Sequence, residues 1–520
     1  MTRNGQNLLG FKQGLDFADI LRAGLVADEN VFRRGHDGKI LHAGLDRLFP
    51  SGEAGNDLQR LGALFAVLRR FSVISGGPGT GKTFTVAKVL MLLQEQARAA
   101  GRAWLRVQLL TPTGKAAQRL RETIRENLER AECDPEIRAQ IPTDASTIHR
   151  ALGYQPRTPT RFRHDARNPL PVDVVVVDEA SMVGLALMAK LVDAVRPEAR
   201  LILLGDKDQL ASVEVGAILG DIYGGRTGTG VSREFAKRVL DLTGDALPDS
   251  KEHPDPGLHD CMVHLEHSWR FPASSGIGAL ARAVNAGDAD AALAAIHAHR
   301  ELELHALDAE ALEREVGRLA VEKFGDLGSA PVEKKLDLLD RFRFLCAHRE
   351  GPGGVATLNR WVEAALRRAG RIDASGAWYA GRPVIVTEND YQVELFNGDV
   401  GVIAPSGDDA GGTHDAPPAL VAHFRTAEPG KLRQLSPGRL PPHDTVFAMS
   451  VHKAQGSELA EVALVLPPEV SPVLTRELVY TAITRARERV RIYGSEKVLR
   501  AAIAVPVQRA SGLREALWGR

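Results

Sequence analysis

The stretch FSVISGGPGTGKTFTVAKVL, residues 71–90, decides how the rest of the chain is read. An apolar run from Phe71 to Ile74 meets the segment Gly76, Gly77, Pro78, Gly79, Thr80, Gly81, Lys82, Thr83, and a helix pattern follows at once. Strand, loop and helix in that order are what a phosphate-binding loop requires. Glycines let backbone N–H groups curl round a β-phosphate, Lys82 reaches toward the β- and γ-phosphates, and the Thr83 hydroxyl suits a Mg²⁺ shell. A Gly-rich turn with an incidental Lys-Thr would need neither the buried strand before it nor the helix after it. ATP with Mg²⁺ is therefore the expected cofactor pair.

Kinases, transporters, GTPases and motors share such a loop, so a second signal has to say what the ATP is for. Residues 173–181, DVVVVDEAS, place four valines on a strand buried on both faces and end it in Asp178 and Glu179. The carboxyl end of a parallel strand is where such a pair belongs. Asp178 suits coordination of the metal, directly or through water, and Glu179 suits activation of an attacking water, which favours hydrolysis over transfer to a substrate. Acids at a helix start would also suit the helix dipole. This pair, however, follows the loop by about 95 residues and precedes Ala180-Ser181, as a hydrolase core requires.

Composition sets outer bounds. A chain of 520 residues with 44% hydrophobic content can fill several cores, roughly three or four domains. Lys+Arg and Asp+Glu both number 66, so a nucleic-acid path must be a local groove rather than a global field. Local arginine clusters exist at residues 102–125, at Arg157, Arg161, Arg163 and Arg167, and at Arg485, Arg487, Arg489 and Arg491, although such clusters are often solvated helix faces. The cysteines Cys133, Cys261 and Cys346 stand far apart, which argues against a disulfide framework, an iron–sulfur cluster or a zinc site and fits a reducing cytoplasm. The start has no apolar signal region, and no run reaches the roughly 18 residues that span a bilayer. A cytoplasmic protein with no membrane association is expected.

Along the chain, residues 1–50 read as a short N-terminal helical region and SGEAGND, from residue 51, as a linker. Strands and helices alternate from Phe71 to about Tyr223, the pattern of a parallel α/β domain, which is placed at 51–262. A polar, basic, Pro-bearing interruption at about 153–172 reads as an exposed β-hairpin or loop. Residues 263–378 and 445–520 read as a second α/β domain. Between its halves, 379–444 carry short strand-like runs separated by Gly, Pro and Asp, which suggests an inserted small antiparallel β-barrel.

The ordered series GGPGTGKT, LLTPTGKAAQRL, ASTIHRALG, VVVVDEAS, LGDKDQLASVEVGAILGD, SWRF, SVHKAQGSE and VYTAITRARERV resembles the complete motif set of a superfamily 1 helicase. HREGPGGVATLN and RELVYTAITRAR extend the resemblance to the RecD branch, over about residue 45 to the C-terminus. The resemblance implies two RecA-like domains with ATP in the cleft between them, single-stranded DNA across their tops, and an SH3-like insert in the second domain. It further implies 5′-to-3′ translocation, duplex DNA ends as substrates, and RecB and RecC as partners in a heterotrimer acting in double-strand-break repair, with the nuclease site elsewhere. A free-standing helicase of the same branch is the alternative. Members of the exonuclease V type carry a longer N-terminal docking domain than the roughly 50 residues here, which leaves the docking mode open.

Carried over residue by residue, the resemblance makes Gln59 a contact to adenine and Gln209, close to Asp206, the sensor that links the γ-phosphate to the DNA side. Arg270 and Arg485 resemble two arginine fingers supplied by the second domain, and Gly456 joins the nucleotide contacts. Thr111, Pro112, Thr113, Lys115, Thr147, His149, His452, Lys453 and Gln455 match positions along the single-strand path, where small hydroxyls and backbone N–H groups hold phosphates without reading sequence. His149 and His452 read equally well as satisfied core or loop histidines. The hairpin resembles the wedge that splits a duplex.

Overall fold

The computed structural model of the chain describes residues 18, 37–50, 56–155, 161–211, 218–224, 231–247, 258, 260–390, 392–406, 419–426, 430–507 and 512–518. These form two compact units, Met1–Arg270 with Gln508–Arg520, and Phe271–Val507.

Unit 1 is built on strands β1 (Phe71–Gly76), β2 (Val107–Thr111), β3 (Ala145–Thr147), β4 (Val174–Val177), β5 (Arg200–Gly205) and β6 (Met262–Leu265). They pair in parallel in the order β3-β2-β4-β5-β1-β6. Successive side chains of a strand point to opposite faces, and the core divides accordingly. Val174, Val176, Ile202, Leu204 and Ile74 face one apolar cluster, with helices Asn56–Leu68, Lys82–Ala99 and Gly114–Arg130. Val175, Val177, Leu201, Leu203, Phe71 and Val73 face the other, with helix Leu185–Ala194. Burial on both faces explains why β4 reads as four valines without alternation.

The described residues bear on several expected boundaries. Of the N-terminal region only Ala18 and 37–50 are described, and helix Gly38–Leu48 is part of the unit 1 core, with Leu41, Leu45, Leu48 and Phe49 buried in its first cluster. The linker at 51–55 lies outside the described residues, and Asn56 already opens a helix. A boundary at 262 would cut β6, whose register on β1 (Val73↔Met262 to Gly76↔Leu265) holds the chain in unit 1 as far as Arg270. Residues 512–518 also return to unit 1: Leu513 and Leu517 are fully buried with Ile218, Leu219 and Ile222, and Trp518 Nε1 donates to Asp221 O (3.2 Å) and Ile222 O (3.0 Å). In the expected hairpin, 156–160 with Arg157 lie outside the described residues; Tyr154 bridges Phe162 across them, and Asp165 bridges Asn168 beyond them, as isolated antiparallel bridges. Residues 225–230 and 248–257 are likewise outside the described residues.

Unit 2 contributes β7 (Leu302–His305) and β8 (Phe342–Cys346), then β9 (Pro383–Val386), β10 (Val400–Pro405), β11 (Leu420–Arg425), β12 (Leu432–Leu435) and β13 (His443–Thr445), then β14 (Ala448–Ser450), β15 (Leu459–Val465) and β16 (Ala486–Tyr493). Five of them form a second parallel sheet, β14-β8-β15-β16-β7. The insert is a five-stranded antiparallel sheet, β12-β11-β10-β9-β13, around its own cluster of Val384, Val386, Ile403, Ala422 and Phe424. No helix of the described residues is long and apolar enough to cross a membrane.

Because Leu517 is sealed in the unit 1 core, Leu517→Ala should destabilise that unit by about 2–5 kcal/mol. Calorimetry on the full chain should show one transition shifted down and the other unmoved; equal shifts in both, or in neither, would contradict this assignment of the segment.

Candidate nucleotide and DNA site

Parallel strands deliver all their carboxyl ends to one edge, and in open α/β sheets ligands bind there. Across unit 1 that edge reads Thr147 (β3), Thr111 (β2), Asp178 after β4, Asp206 after β5, Gly76 (β1) and the segment to Arg270 after β6. Residues spread over the sequence from 76 to 270 thus stand side by side.

At β1 the loop turns through Gly79 (φ 77°) and Gly81 (φ 84°), in the left-handed region that favours glycine. Gly81 caps helix Lys82–Ala99 without a side-chain hydrogen bond, so the first-turn N–H groups are those a helix start offers to an anion. Lys82 Nζ folds over the loop, donating to Gly76 O (2.6 Å) and Gly77 O (3.0 Å), while Thr80 Oγ1 donates to Gly77 O (2.9 Å). Gln59, buried on helix Asn56–Leu68, donates its Nε2 to Thr80 O at 3.2 Å, which places its amide at the loop.

Asp178 and Glu179 stand opposite. Thr83 Oγ1 donates to Asp178 Oδ2 at 3.2 Å, and Glu179 N donates to Asp178 Oδ1 at 2.8 Å. Glu179 holds φ 54°, a strained conformation for a residue with a side chain. Burial pushes the Asp178 carboxyl up to about 6, with the charge of Glu179 acting in the same direction, against the Glu179 N–H, Lys82 and the Thr83 hydroxyl. Among the described residues no three His, Cys, Asp or Glu side chains converge on a metal position. The hydroxyl and carboxylate oxygens of Thr83 and Asp178 fit a hard cation that takes its other ligands from phosphate and water, as Mg²⁺ does.

After β5, Gln209 Nε2 donates to the buried Asp206 (Oδ2, 3.2 Å), whereas Gln209 Oε1 is buried with no hydrogen-bond partner among the described residues. The Lys207 N–H donates to Ser75 Oγ (3.2 Å), and that hydroxyl lies 3.3 Å from His264 Nδ1 on β6. Burial, then the charge of Lys207, brings His264 down to about 4, so it is neutral at physiological pH.

Arg270 departs from expectation. It belongs to unit 1, and a Cβ on Gly79 would meet Arg270 Cβ at 2.4 Å, so the segment is packed against the loop and is not carried by the second unit. The Trp269 N–H donates to Gly79 O (2.9 Å) and Ser268 Oγ to Pro78 O (3.0 Å). Trp269 is 58% exposed, and a Cβ on Gly81 would lie 2.6 Å from Gln59 Nε2 and 3.9 Å from Trp269 Nε1. An exposed indole beside the loop is a surface that the sequence does not single out. Its position before Arg270 in SWRF was the available signal.

At the other end of the edge, Thr111 and Thr147 are direct partners across β2 and β3. Thr111 Oγ1 donates to Thr113 O (2.8 Å), and Thr113 and Thr147 cap their helices by accepting from Ala116 N (3.2 Å) and Arg150 N (3.3 Å). Pro112 and Lys115 belong to the same strand-to-helix turn. His149 is exposed and groups with Tyr154 and Phe162, ring centroids 5.9–6.2 Å apart.

In unit 2, Arg485 is 3% exposed at the end of helix Arg476–Ile483, its Nε donating to Thr481 O (3.1 Å) and Nη1 to Ser457 O (3.3 Å). The second bond joins it to the turn after β14 that contains His452, Lys453, Gln455 and Gly456 (φ 72°). Gln455 N donates to His452 O (3.3 Å), and Lys453 Nζ donates to Asp444 Oδ2 (3.0 Å).

Two family models match the chain, an AAA domain over residues 59–215 and a UvrD-like helicase C-terminal domain over 445–493. The RecBCD enzyme subunit RecD of Mycolicibacterium smegmatis is 42% identical over 468 residues, 89% of this chain and 75% of that protein. The ATP-dependent RecD2 DNA helicase of Deinococcus radiodurans is 32% identical over 437 residues, 84% of this chain and 48% of that protein. A solved structure of Bacteroides Pif1 helicase with ADP-AlF3 and ssDNA is similar with a TM-score of 0.41 at 14% identity, covering 84% of this chain and 91% of that one.

Replacing Asp178 tests the electrostatics of the pair. Asn keeps the shape, can accept from Glu179 N and can donate to the Thr83 hydroxyl, yet carries no buried charge. An aspartate whose folded value is raised destabilises the native state at pH above that value and ceases to do so as pH falls toward its ordinary 3.8. In metal-free buffer Asp178→Asn should therefore raise stability by an order of 1–2 kcal/mol at about pH 8, and the gain should fade as pH drops below about 6. A gain equal at about pH 5 and pH 8 would remove the buried charge as its cause.

Proposed function

Because the chain belongs to the RecD family of superfamily 1 helicases, we propose that this ATP-dependent DNA helicase moves 5′ to 3′ along single-stranded DNA as a subunit of a RecBCD (exonuclease V) assembly in double-strand-break repair. RecB and RecC are then its partners, duplex ends its substrate and the cytoplasm its place. The observation that carries the reading is the single sheet edge on which Thr147 and Thr111 stand in line with Asp178, Gln209 and the phosphate loop. One rigid sheet then links the proposed grip on DNA to the chemistry. The match to RecD2 supports a second reading, a helicase working without RecB and RecC; co-purification of the native chain with those subunits separates the two.

In the proposed mechanism Lys82 leaves the loop carbonyls for the β- and γ-phosphates, and the first-turn N–H groups of its helix bind the same anion. Thr83 and Asp178 would hold Mg²⁺, which would supply charge neutralisation at the phosphates. Glu179 takes the proton of the attacking water. Arg270 and Arg485 stabilise charge on the transferred phosphoryl group, and the buried Oε1 of Gln209 accepts from whatever donor reports its presence. DNA is held through its backbone by the hydroxyls and cations of Thr111, Thr113, Lys115, Thr147, His149, His452, Lys453 and Gln455, so binding is tolerant of sequence and sensitive to salt.

A partial duplex with a 5′ single-stranded tail should be unwound with ATP and Mg²⁺, and one with only a 3′ tail should not. Glu179→Gln should bind both ATP and DNA and unwind neither substrate. Preferential unwinding from 3′ tails would overturn the polarity while leaving the motor intact.

Trp269 and Gln59 flank the loop as an adenine site would need, one flat apolar surface and one amide. Trp269→Ala should raise KM for ATP roughly tenfold with a smaller change in kcat, and Trp269→Phe should restore most of the loss. An unchanged KM in the alanine variant would exclude stacking on the base.

A further inference from the structure

Asp444 has no place in the nucleotide or DNA assignments, yet it faces two cations. Its Oδ2 accepts from Lys453 Nζ at 3.0 Å and from Arg349 Nη2 at 3.4 Å. The aspartate stands on β13, the last strand of the insert sheet, paired with Ile385 of β9. Lys453 stands on the turn after β14 and Arg349 on the loop after β8, two strands adjacent in the parallel sheet. All three side chains reach solvent, at 44%, 32% and 72% exposure for Asp444, Lys453 and Arg349.

We propose that Asp444 is a built-in competitor of the DNA backbone, a carboxylate that occupies Lys453 and Arg349 until a phosphate displaces it, so that the insert sheet sets how tightly this turn grips a strand. The inference rests on the reading of Lys453 as a phosphate contact. Carboxylate and phosphate oxygens seek the same donors, and neither cation can serve both fully at once. Exposed ion pairs of this kind are weak, so a polyanion can outcompete one, and the exchange has a modest effect rather than an all-or-none one. The alternative, that Asp444 orients Lys453 for DNA, fits less well. An ammonium on a flexible four-carbon stem needs little orientation, and a fixed negative charge beside the strand repels it.

Competition predicts a gain on removing the acid, which misfolding cannot imitate. Binding of a fluorescent oligothymidylate to the full chain, measured without nucleotide over a range of salt, should tighten by about two- to tenfold in Asp444→Asn. The logarithmic salt dependence should steepen by up to about 0.7 as an additional cation engages phosphate. KM for ATP should not move. Lys453→Ala alone should weaken binding, and in the Asp444→Asn chain it should remove most of the gain, which is the coupling a double-mutant cycle measures. If Lys453→Ala weakens binding while Asp444→Asn leaves it unchanged or weakens it too, the competitor role is overturned and the phosphate contact stands. If Lys453→Ala has no effect on binding, the phosphate contact fails, and the competitor role with it.

Discussion

Strands that all run the same way cannot be joined by tight turns; each connection must cross a face of the sheet, and every strand then ends at the same edge. Unit 1 depends on this constraint more than on any single bond. With β1 between β5 and β6, Ser75 stands opposite Gly205 and Gly76 opposite Leu265, so the phosphate loop opens between the Asp206–Gln209 turn and the segment ending in Arg270. A slip of one residue in either ladder would turn the valines and leucines of the strand from one apolar cluster toward the other, and burial on both faces forbids it. The same packing that holds the core thus fixes the positions of groups that meet no one in sequence.

What could be read in the sequence follows from how local each requirement is. The phosphate loop and the Asp178-Glu179 pair were legible because the chemistry demands specific residues next to a strand that must be wholly apolar. The strands β9, β10 and β11 were visible as β-branched runs between turn residues. The short strands β3, β7, β12 and β13, three or four residues each, were not, since so few residues show no period against their polar neighbours. Arg270 was assigned to the wrong unit for a related reason. Its place is decided by the pairing of β6 with β1, a long-range contact to which MVHL contributes only a modest apolar run. Trp269 was legible only through its place before Arg270 in SWRF, since a lone tryptophan in sequence does not show whether it is exposed or buried.

A chain of zero net charge still places cations where they can act. Two buried guanidinium groups are held by neutral carbonyl oxygens: Arg200 by Val67, and Arg343 by Leu339 and Val446. Burial lowers Arg200 and Arg343 to about 10, which leaves both protonated at neutral pH. Carbonyls orient a guanidinium without cancelling its charge, whereas the carboxylate of Asp444 both orients its cations and offsets them. The choice of acceptor distinguishes a cation kept at full strength from one whose strength is adjusted.

The return of Leu513–Trp518 to unit 1 has a consequence at the ribosome. The sheet of unit 1 is complete once β6 has emerged, but the groove between Ile218, Leu219 and Ile222 stays open until all of Phe271–Val507 has been translated. At roughly 5–20 residues per second that interval is on the order of 10–50 s, long compared with the collapse of a domain. Through it Ile218, Leu219 and Ile222 lack the apolar cover that Leu513 and Leu517 supply, while unit 2 folds as an insertion within a unit already largely formed.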